Sequence, residues 1–160
     1  MLDYASIDDL QVWAEGVMAD RPPDFVIGPP ENPYMRRWFI VPRNARANLY
    51  LHEILRSDDD RVLHDHPWPS RSLIIAGGYF EHLPALGMEI ERHWRGPGWV
   101  GERTADQAHR LEVPDGGSAI TLFFTGEKTR EWGFHCPDGW RHWRDFTGGE
   151  HGEIVGRGCE

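Results

Sequence analysis

The first clear pattern along the chain is a helical repeat of apolar residues near the N-terminus. Ser6 is a good N-cap residue, and Asp9 stands three positions later, in the first turn of the predicted helix. Pro22 and Pro23 then stop the repeat. The pattern predicts an α-helix over about residues 6–19, whose apolar face carries Ile7, Leu10, Trp13, Ala14 and Val17.

From Arg37 onward the apolar repeat changes to a period of two, which is typical of half-buried strands. Turn signals separate the alternating segments, among them a Gly77-Gly78 bend. The predicted strands are 38–41, 48–56, 62–66, 72–76, 79–83, 88–94, 99–102, 109–113, 119–125 and 130–135. So many short strands predict a single all-β domain, a sandwich or barrel over about residues 37–146, with a loose tail over about 150–160.

The composition agrees with a turn-rich β protein and narrows the function classes. Of the 160 residues, 12% are aromatic, 18 are glycine and 12 are proline. The formal net charge of −9 argues against general nucleic-acid binding, which needs clustered Lys and Arg. We expect no membrane span and a cytoplasmic location, because no long apolar run and no signal-like N-terminal segment is present. Cys136 and Cys159 are expected to be reduced, since two cysteines cannot build a disulfide framework.

Candidate chemistry comes from three histidines. His64 and His66 stand at positions i and i+2, so on an extended strand both side chains project from the same face. His109 lies on a later predicted strand and can complete a facial set of three imidazoles. Such a set predicts a metal site, and the alternative is that these histidines line a polar cavity without metal. Asp65, between the pair, is expected to face away from the cavity.

This arrangement resembles the cupin superfamily, whose fold is a double-stranded β-helix (a jelly-roll barrel). The first cupin motif has a His-x-His pair that is followed by a glutamate and a closing glycine, and Gly77 or Gly78 stands where that glycine belongs. In the second motif a glycine precedes the histidine, as Gly98 precedes His109. The resemblance covers about residues 48–125. The positions that depart from it are Asp58 for the first glycine, Ser70 or Arg71 for the glutamate, 104–106 for Pro-x-Gly, and Val113 for the final asparagine.

The missing glutamate changes the expected metal chemistry. Three neutral imidazoles leave a divalent ion with its full charge, and such a set favours Fe(II), with Zn, Ni or Cu as alternatives. Within the cupins the three-His set resembles the thiol dioxygenases. The chain is also similar to small cupin-like proteins of bacteria and their phages.

These resemblances imply a metal-binding cupin, expected to be a mononuclear non-haem iron dioxygenase that acts on a small anionic molecule. The alternatives are a cupin isomerase, epimerase or lyase acting on a sugar or organic acid, and a non-catalytic binding or assembly module. By resemblance alone, a homodimer is expected.

Several other residues are candidates for the site. Tyr79 and Arg71 are the predicted catalytic residues, as a proton donor and as a cation near the lost glutamate position. Arg46, Arg56 and His52 are the predicted substrate-binding residues. A guanidinium binds carboxylate or phosphate bidentately, and His52 shares a strand face with Arg56. Glu53, Tyr79 and Glu81 are the candidates for a hydrogen bond that fixes the orientation of a ligand imidazole. The aromatic segment 132–143 is expected to close the barrel end and to pack on the N-terminal helix.

Overall fold

The structure is a computed structural model that describes residues 6–58, 62–149, 154 and 156–160. Antiparallel β-strands make up most of it, and one long helix precedes them. The elements are α1 (Ile7–Asp20), β1 (Phe25–Ile27), β2 (Met35–Phe39), β3 (Asn48–Ile54), β4 (Ser70–Gly77), β5 (Tyr79–Pro84), β6 (Ile90–Arg95), β7 (Val100–Arg103), β8 (Arg110–Glu112), β9 (Ala119–Thr125), β10 (Gly133–Cys136), β11 (Gly139–His142) and α2 (Trp143–Phe146). The all-β prediction with an N-terminal helix is therefore confirmed.

The strands form three antiparallel sheets. The large sheet has the order β1-β2-β3-β9-β4-β7, a three-stranded sheet has the order β6-β5-β8, and β10 and β11 form the C-terminal hairpin. The chain passes from the large sheet to the three-stranded sheet at Gly77 and Gly78, where the sequence predicted a bend. Gly77 has φ 66°, and a Cβ there would lie 1.9 Å from the Ser118 carbonyl oxygen, so only glycine fits this corner.

Helix α1 covers one face of the large sheet. Ser6 and Asp9 form a capping box at its N-terminus, which satisfies backbone donors that the helix itself cannot. Ala14 packs with Trp38, Leu51 and Ile75, all of which are buried. Because side chains alternate along a strand, the neighbours of these residues on β2 and β3 face the opposite side of the sheet, where the site lies.

The predicted strand 62–66 is wrong in extent. His64 forms isolated bridges with His109 and with Phe134, so one extended residue is inserted between two neighbouring segments. Strands β1 and β11 and the short helix α2 were not predicted. They are only three or four residues long, which is too short for a clear periodic pattern.

The two cysteines are also a correction. Cys136 and Cys159 form a disulfide with a sequence separation of 23 residues, so the prediction that both are reduced is wrong. Gly148 and Ile154 form a bridge, and the Gly158 N–H donates to the Phe146 carbonyl. The described residues of the C-terminal segment are thus attached to the hairpin, while residues 150–153 and 155 of the predicted tail lie outside the described residues.

Aromatic residues of the C-terminal segment pack on the side of the site and not on α1. Phe134 stacks on Phe146 with ring centroids 3.7 Å apart, in a cluster that includes Cys136 and Val62. The cluster beneath α1 contains none of the residues of this segment. The expectation that the segment packs on the N-terminal helix is therefore wrong. Among the residues that the structure describes, no helix is long and apolar enough to cross a membrane.

Candidate metal centre

The backbone around His64 brings the three histidines together. The His64 N–H donates to the His109 carbonyl, and the His109 N–H donates back to His64, both at 2.9 Å. This reciprocal pair aligns the two segments in an extended conformation. His66, two residues on, consequently projects to the same side as His64. The geometry that the His-x-His spacing predicted is present although only a bridge, and no full strand, supports it.

The three imidazoles form a compact cluster. Each pair of ring centroids is 5.1 Å apart, and one nitrogen or more from each ring lies within 4.8 Å of the others. His66 Nε2 and His109 Nε2 are 2.8 Å apart. Two nitrogen ligands at right angles on an ion with bonds of about 2.1 Å would be separated by about 3 Å. The spacing therefore suits a shared divalent metal ion.

Burial keeps His66 and His109 neutral. Desolvation, followed by the charges of His109 and His64, holds the pKa of His66 well below its usual range. Burial and then the charge of His64 lower the pKa of His109 in the same direction. A neutral imidazole has one nitrogen lone pair free, which is the form that binds a metal. The site therefore holds these rings in the protonation state that a ligand requires.

Glu81 on β5 orients the third histidine. Its carboxylate is fully buried and accepts a hydrogen bond of 2.8 Å from His109 Nδ1. This contact places the remaining lone pair on His109 Nε2, which faces His66. Glu81 also accepts from Arg95 Nε at 3.0 Å and from Arg103, so it binds two guanidinium groups and one imidazole. Of the three sequence candidates for this role, the structure selects Glu81.

Asp65 anchors the His-x-His segment from the opposite side. It points away from the histidines as predicted, but it is fully buried. Its carboxylate accepts from the Gly133 N–H, Trp140 Nε1 and His135 Nε2 at 2.8 to 3.1 Å, and it pairs with Arg130 Nη1 at 2.7 Å. One carboxylate thereby fastens the C-terminal hairpin to the backbone between His64 and His66.

Comparison with solved structures reveals the fold. The chain is similar to the polyketide cyclase RemF of Streptomyces resistomycificus, with TM-score 0.50, 17% identity and coverage of 61% of this chain and 68% of that one. It is similar to Fe(II) HppE, with TM-score 0.53, 14% identity and coverage of 66% and 57%. A putative mannose-6-phosphate isomerase of Ralstonia eutropha gives TM-score 0.50, 13% identity and coverage of 65% and 92%. These neighbours are cupin-fold proteins.

This chain has the cupin fold. No protein-family model and no curated protein sequence matches it. At these identities the likeness reports the cupin barrel alone, and the chemistry of the site has to be argued from this chain's own residues.

The two predicted catalytic residues have no described contact with the three histidines of the cupin barrel. Tyr79 belongs to an apolar cluster with Ile74 and Leu111, and burial, followed by the charge of Glu81, raises its pKa to about 12. Arg71 lies on the outer face of the large sheet, and its half-exposed guanidinium pairs with Glu102 at 3.0 Å. Arg71 does not face the cavity, because residues 70 and 72 on either side of it take the inward positions.

The predicted substrate-binding residues separate into two groups. His52 on β3 faces the barrel interior, is only 3% exposed and stacks on Phe123, whose other side approaches His66. Arg46 is an exposed loop residue. Arg56 lies over the Tyr34 ring and donates from Nε to the Asn32 carbonyl. Of these three residues, only His52 has a described contact with the wall of the metal centre.

Arg37 on β2 is not among the substrate-binding residues predicted above, although the sequence offers Arg36-Arg37, or Arg43 and Arg46, as a local anion site. It stands opposite His52 in the strand register, and its Nε donates to His52 Nε2 at 2.9 Å. Arg37 shares the inward face of its strand with Met35, whereas Arg36 takes the outward position between them. Arg36 lies on the surface, where it pairs with Glu53 at 2.9 Å.

Proposed function

We propose that this protein binds one divalent metal ion through His64, His66 and His109 and is a non-haem iron oxygenase of a small anionic molecule. The observation that carries the proposal is the convergence of three imidazole nitrogens within 4.8 Å, with no carboxylate in the group. Imidazole ligands suit Fe(II), Zn, Ni and Cu, and a three-ligand facial set leaves open positions. Fe(II) is the metal that we expect.

The residues around the histidines support this assignment. Glu81 holds His109 with its Nε2 lone pair directed at His66, and Asp65 fastens the backbone that carries His64 and His66. Such supporting hydrogen bonds raise metal affinity by fixing the orientation of the ligands. A bound Fe(II) would supply open coordination positions at which a substrate and dioxygen meet.

The charges near the site favour an anion. Arg37, Arg95 and Arg103 lie at the walls of the barrel interior, and Glu81 is the carboxylate that contacts two of them. The Asp58 carboxylate lies 3.8 Å from His64 Nδ1, so three guanidinium groups and two carboxylates leave one positive charge in excess beside a metal ion. In a chain with a net charge of −9, this local excess is a property of the site and not of the whole surface.

Metal content tests the proposal. Wild-type protein that is purified without chelators is expected to hold close to one equivalent of iron, and His66→Ala is expected to lose most of it, because two imidazoles cannot complete the facial set. His93→Ala is the matched control, since His93 is 42% exposed and pairs with Glu91 on β6. Metal-free wild-type protein, or equal metal content in His66→Ala, would show that the cluster is not a metal site.

Oxygen uptake then tests the reaction class. Iron-loaded protein is expected to consume dioxygen in the presence of a member of a panel of small anionic thiols, and His66→Ala is not. Stoichiometric iron without uptake for any thiol or organic acid would remove the oxygenase assignment. It would leave the isomerase, epimerase or lyase alternative, in which the same metal binds an organic acid or a sugar.

A further inference from the structure

We propose that Arg37 is the anion-binding residue of this cavity and that it holds the carboxylate or phosphate group of the substrate across Phe123 from His66. The proposal rests on the proposed function for its substrate, but the anion site itself is a separate property of the barrel wall. It assigns a substrate-binding role to a residue other than Arg46 and Arg56.

The bonding of the Arg37 guanidinium is incomplete. Nε donates to His52 Nε2, and Nη2 has only a long contact of 3.9 Å with the Met35 sulfur. Nη1 has no hydrogen bond among the described residues, and no described carboxylate pairs with this side chain. An arginine side chain has five N–H donors, and buried arginines in proteins are normally paired. The terminal edge of an arginine can bind a carboxylate bidentately, and in Arg37 this edge has only the long contact from Nη2 to the Met35 sulfur.

Nη1, at the terminal edge of Arg37, is reachable from solvent. Within the described part of the chain, Trp68 Nε1 is the one side-chain nitrogen or oxygen that is both sealed from solvent and without a hydrogen-bond partner. The unpartnered Nη1 of Arg37 is consequently not sealed. Arg37, Phe123, His64 and His66 all face the barrel interior, and all four keep partial exposure. Solvent thus reaches the side chains at both ends of the series of contacts from Arg37 to the histidines.

The wall around Arg37 holds its guanidinium in place. The guanidinium carbon lies 4.7 Å above the Tyr50 ring, and Tyr50 stacks with His52. Because arginine cannot accept a hydrogen bond, His52 must present a lone pair at Nε2, so His52 is neutral. Burial and then the charge of Arg37 lower the pKa of His52 well below its usual range, which agrees with this. With Nε committed and the plane fixed, a ligand would pay little to order the side chain.

Phe123 connects this anion site to the metal centre. Its ring centroid is 5.1 Å from that of His52 and 6.5 Å from that of His66. Because Arg37 contacts His52 and not Phe123 directly, His52 and the Phe123 ring connect an oxyanion on Arg37 to the ligand histidines. This spacing fits a small acid whose acidic group binds Arg37 while its other end reaches the histidines. A substrate without an acidic group has no such pairing to make.

Anion binding to metal-free protein tests the inference. Propionate and inorganic phosphate are titrated by calorimetry into wild type, Arg37→Gln and Arg37→Lys. Wild type is expected to bind at least one of the two probes, and Arg37→Gln to bind it tenfold or more weakly. Arg37→Lys keeps the positive charge but loses the two parallel N–H donors of the guanidinium, so its anion affinity is expected to lie between those of wild type and Arg37→Gln. The stronger probe identifies the substrate group as carboxylate or phosphate.

Arg36→Gln is the matched control, because Arg36 is the adjacent arginine of the same strand but pairs with Glu53 on the outer face. Its anion affinity is expected to equal that of wild type. If Arg37→Gln does not fold, Arg37→Lys against Arg36→Lys decides the question by the same measurement. Equal affinity in wild type and the Arg37 variants, or no binding of either probe by wild type, overturns the inference. Loss of the metal site alone would leave this titration unchanged, so the two proposals fail separately.

Discussion

Glu81 shows how a single buried carboxylate prepares a metal ligand. It is 0% exposed, so its charge requires partners, and two arginines and His109 supply them. The hydrogen bond from His109 Nδ1 determines which nitrogen of that ring remains free. Arg95 and Arg103 also pack against the Trp99 ring, which limits their movement. The orientation of His109 thus depends on a network that reaches from β5 to β6 and β7.

Substituting Glu81 is therefore expected to weaken metal binding without removing a ligand. Glu81→Gln keeps the shape of the side chain, but it leaves two guanidinium groups without their carboxylate and weakens the hold on His109. We expect a 10- to 100-fold loss of metal affinity, measured by competition with a chromophoric chelator. Glu102→Gln removes the exposed partner of Arg71 and is the control. An affinity within twofold of wild type in Glu81→Gln would show that His109 is oriented without this carboxylate.

His64 and His66 could be predicted from local spacing, and His109 from its place on a later strand of a cupin-like pattern, whereas their supporting residues could not. His64 and His66 are close in the chain, so their relation follows from backbone geometry alone. Glu81 reaches His109 because β5 pairs with β8, and Arg37 reaches His52 because β2 pairs with β3. These registers depend on which strands meet, and period-two alternation does not specify strand order.

At the scale of elements, the C-terminal hairpin acts as the outer wall of the His-x-His segment. The His135 N–H donates to the Leu63 carbonyl, and the Asp65 N–H donates to the Gly133 carbonyl. The Phe134 ring lies 5.9 Å from that of His64. The aromatic density of this segment did predict a packing role, but its partner is the metal centre. The disulfide joins the end of β10 to residue 159 and so ties the following chain to the hairpin.

Loss of the disulfide is expected to destabilise the protein by about 3 kcal/mol, from the loop-closure entropy of a separation of 23 residues. Urea unfolding of wild type with and without a reductant such as dithiothreitol measures this difference. Cys159→Ser is expected to unfold at the urea concentration that unfolds reduced wild type, both with and without the reductant. Reductant would then have no further effect on this variant. Two free thiols in unreduced wild-type protein would contradict the disulfide.

At the scale of the whole molecule, strand order determines which faces carry charge and which carry apolar side chains. Alternation along β2 and β3 assigns Trp38 and Leu51 to α1 and Arg37 and His52 to the interior. The outer surface holds many of the acidic groups that give the net charge of −9, often paired with arginines. Glu112 is an example, since it binds Arg92 through both carboxylate oxygens and His82 at 2.6 Å.

These surface pairs predict a loss of stability in acid. The hydrogen bond from Arg92, followed by that from His82, lowers the pKa of Glu112 from 4.5 to about 2. A carboxyl group with a depressed pKa in the folded state contributes its full stability above pH 4.5, and the contribution declines as the pH falls toward 2. Because Glu112 is one-third exposed, solvent screening reduces this contribution to roughly 1 kcal/mol.

Glu112→Gln is therefore expected to lower the free energy of unfolding at pH 6 by about 1 kcal/mol and to have little effect near pH 2. Urea unfolding between pH 2 and pH 6 measures both ends of this window. The exposed Glu89, changed to Gln, is the control and should follow wild type across the range. A Glu112→Gln curve parallel to wild type at every pH would show that the arginine and histidine partners do not stabilise the ionised carboxylate in solution. If the free energies of unfolding of wild type and Glu112→Gln converge in acid, this part of the acid sensitivity comes from Glu112 on the outer face of β8. It then does not come from the histidine cluster of the interior.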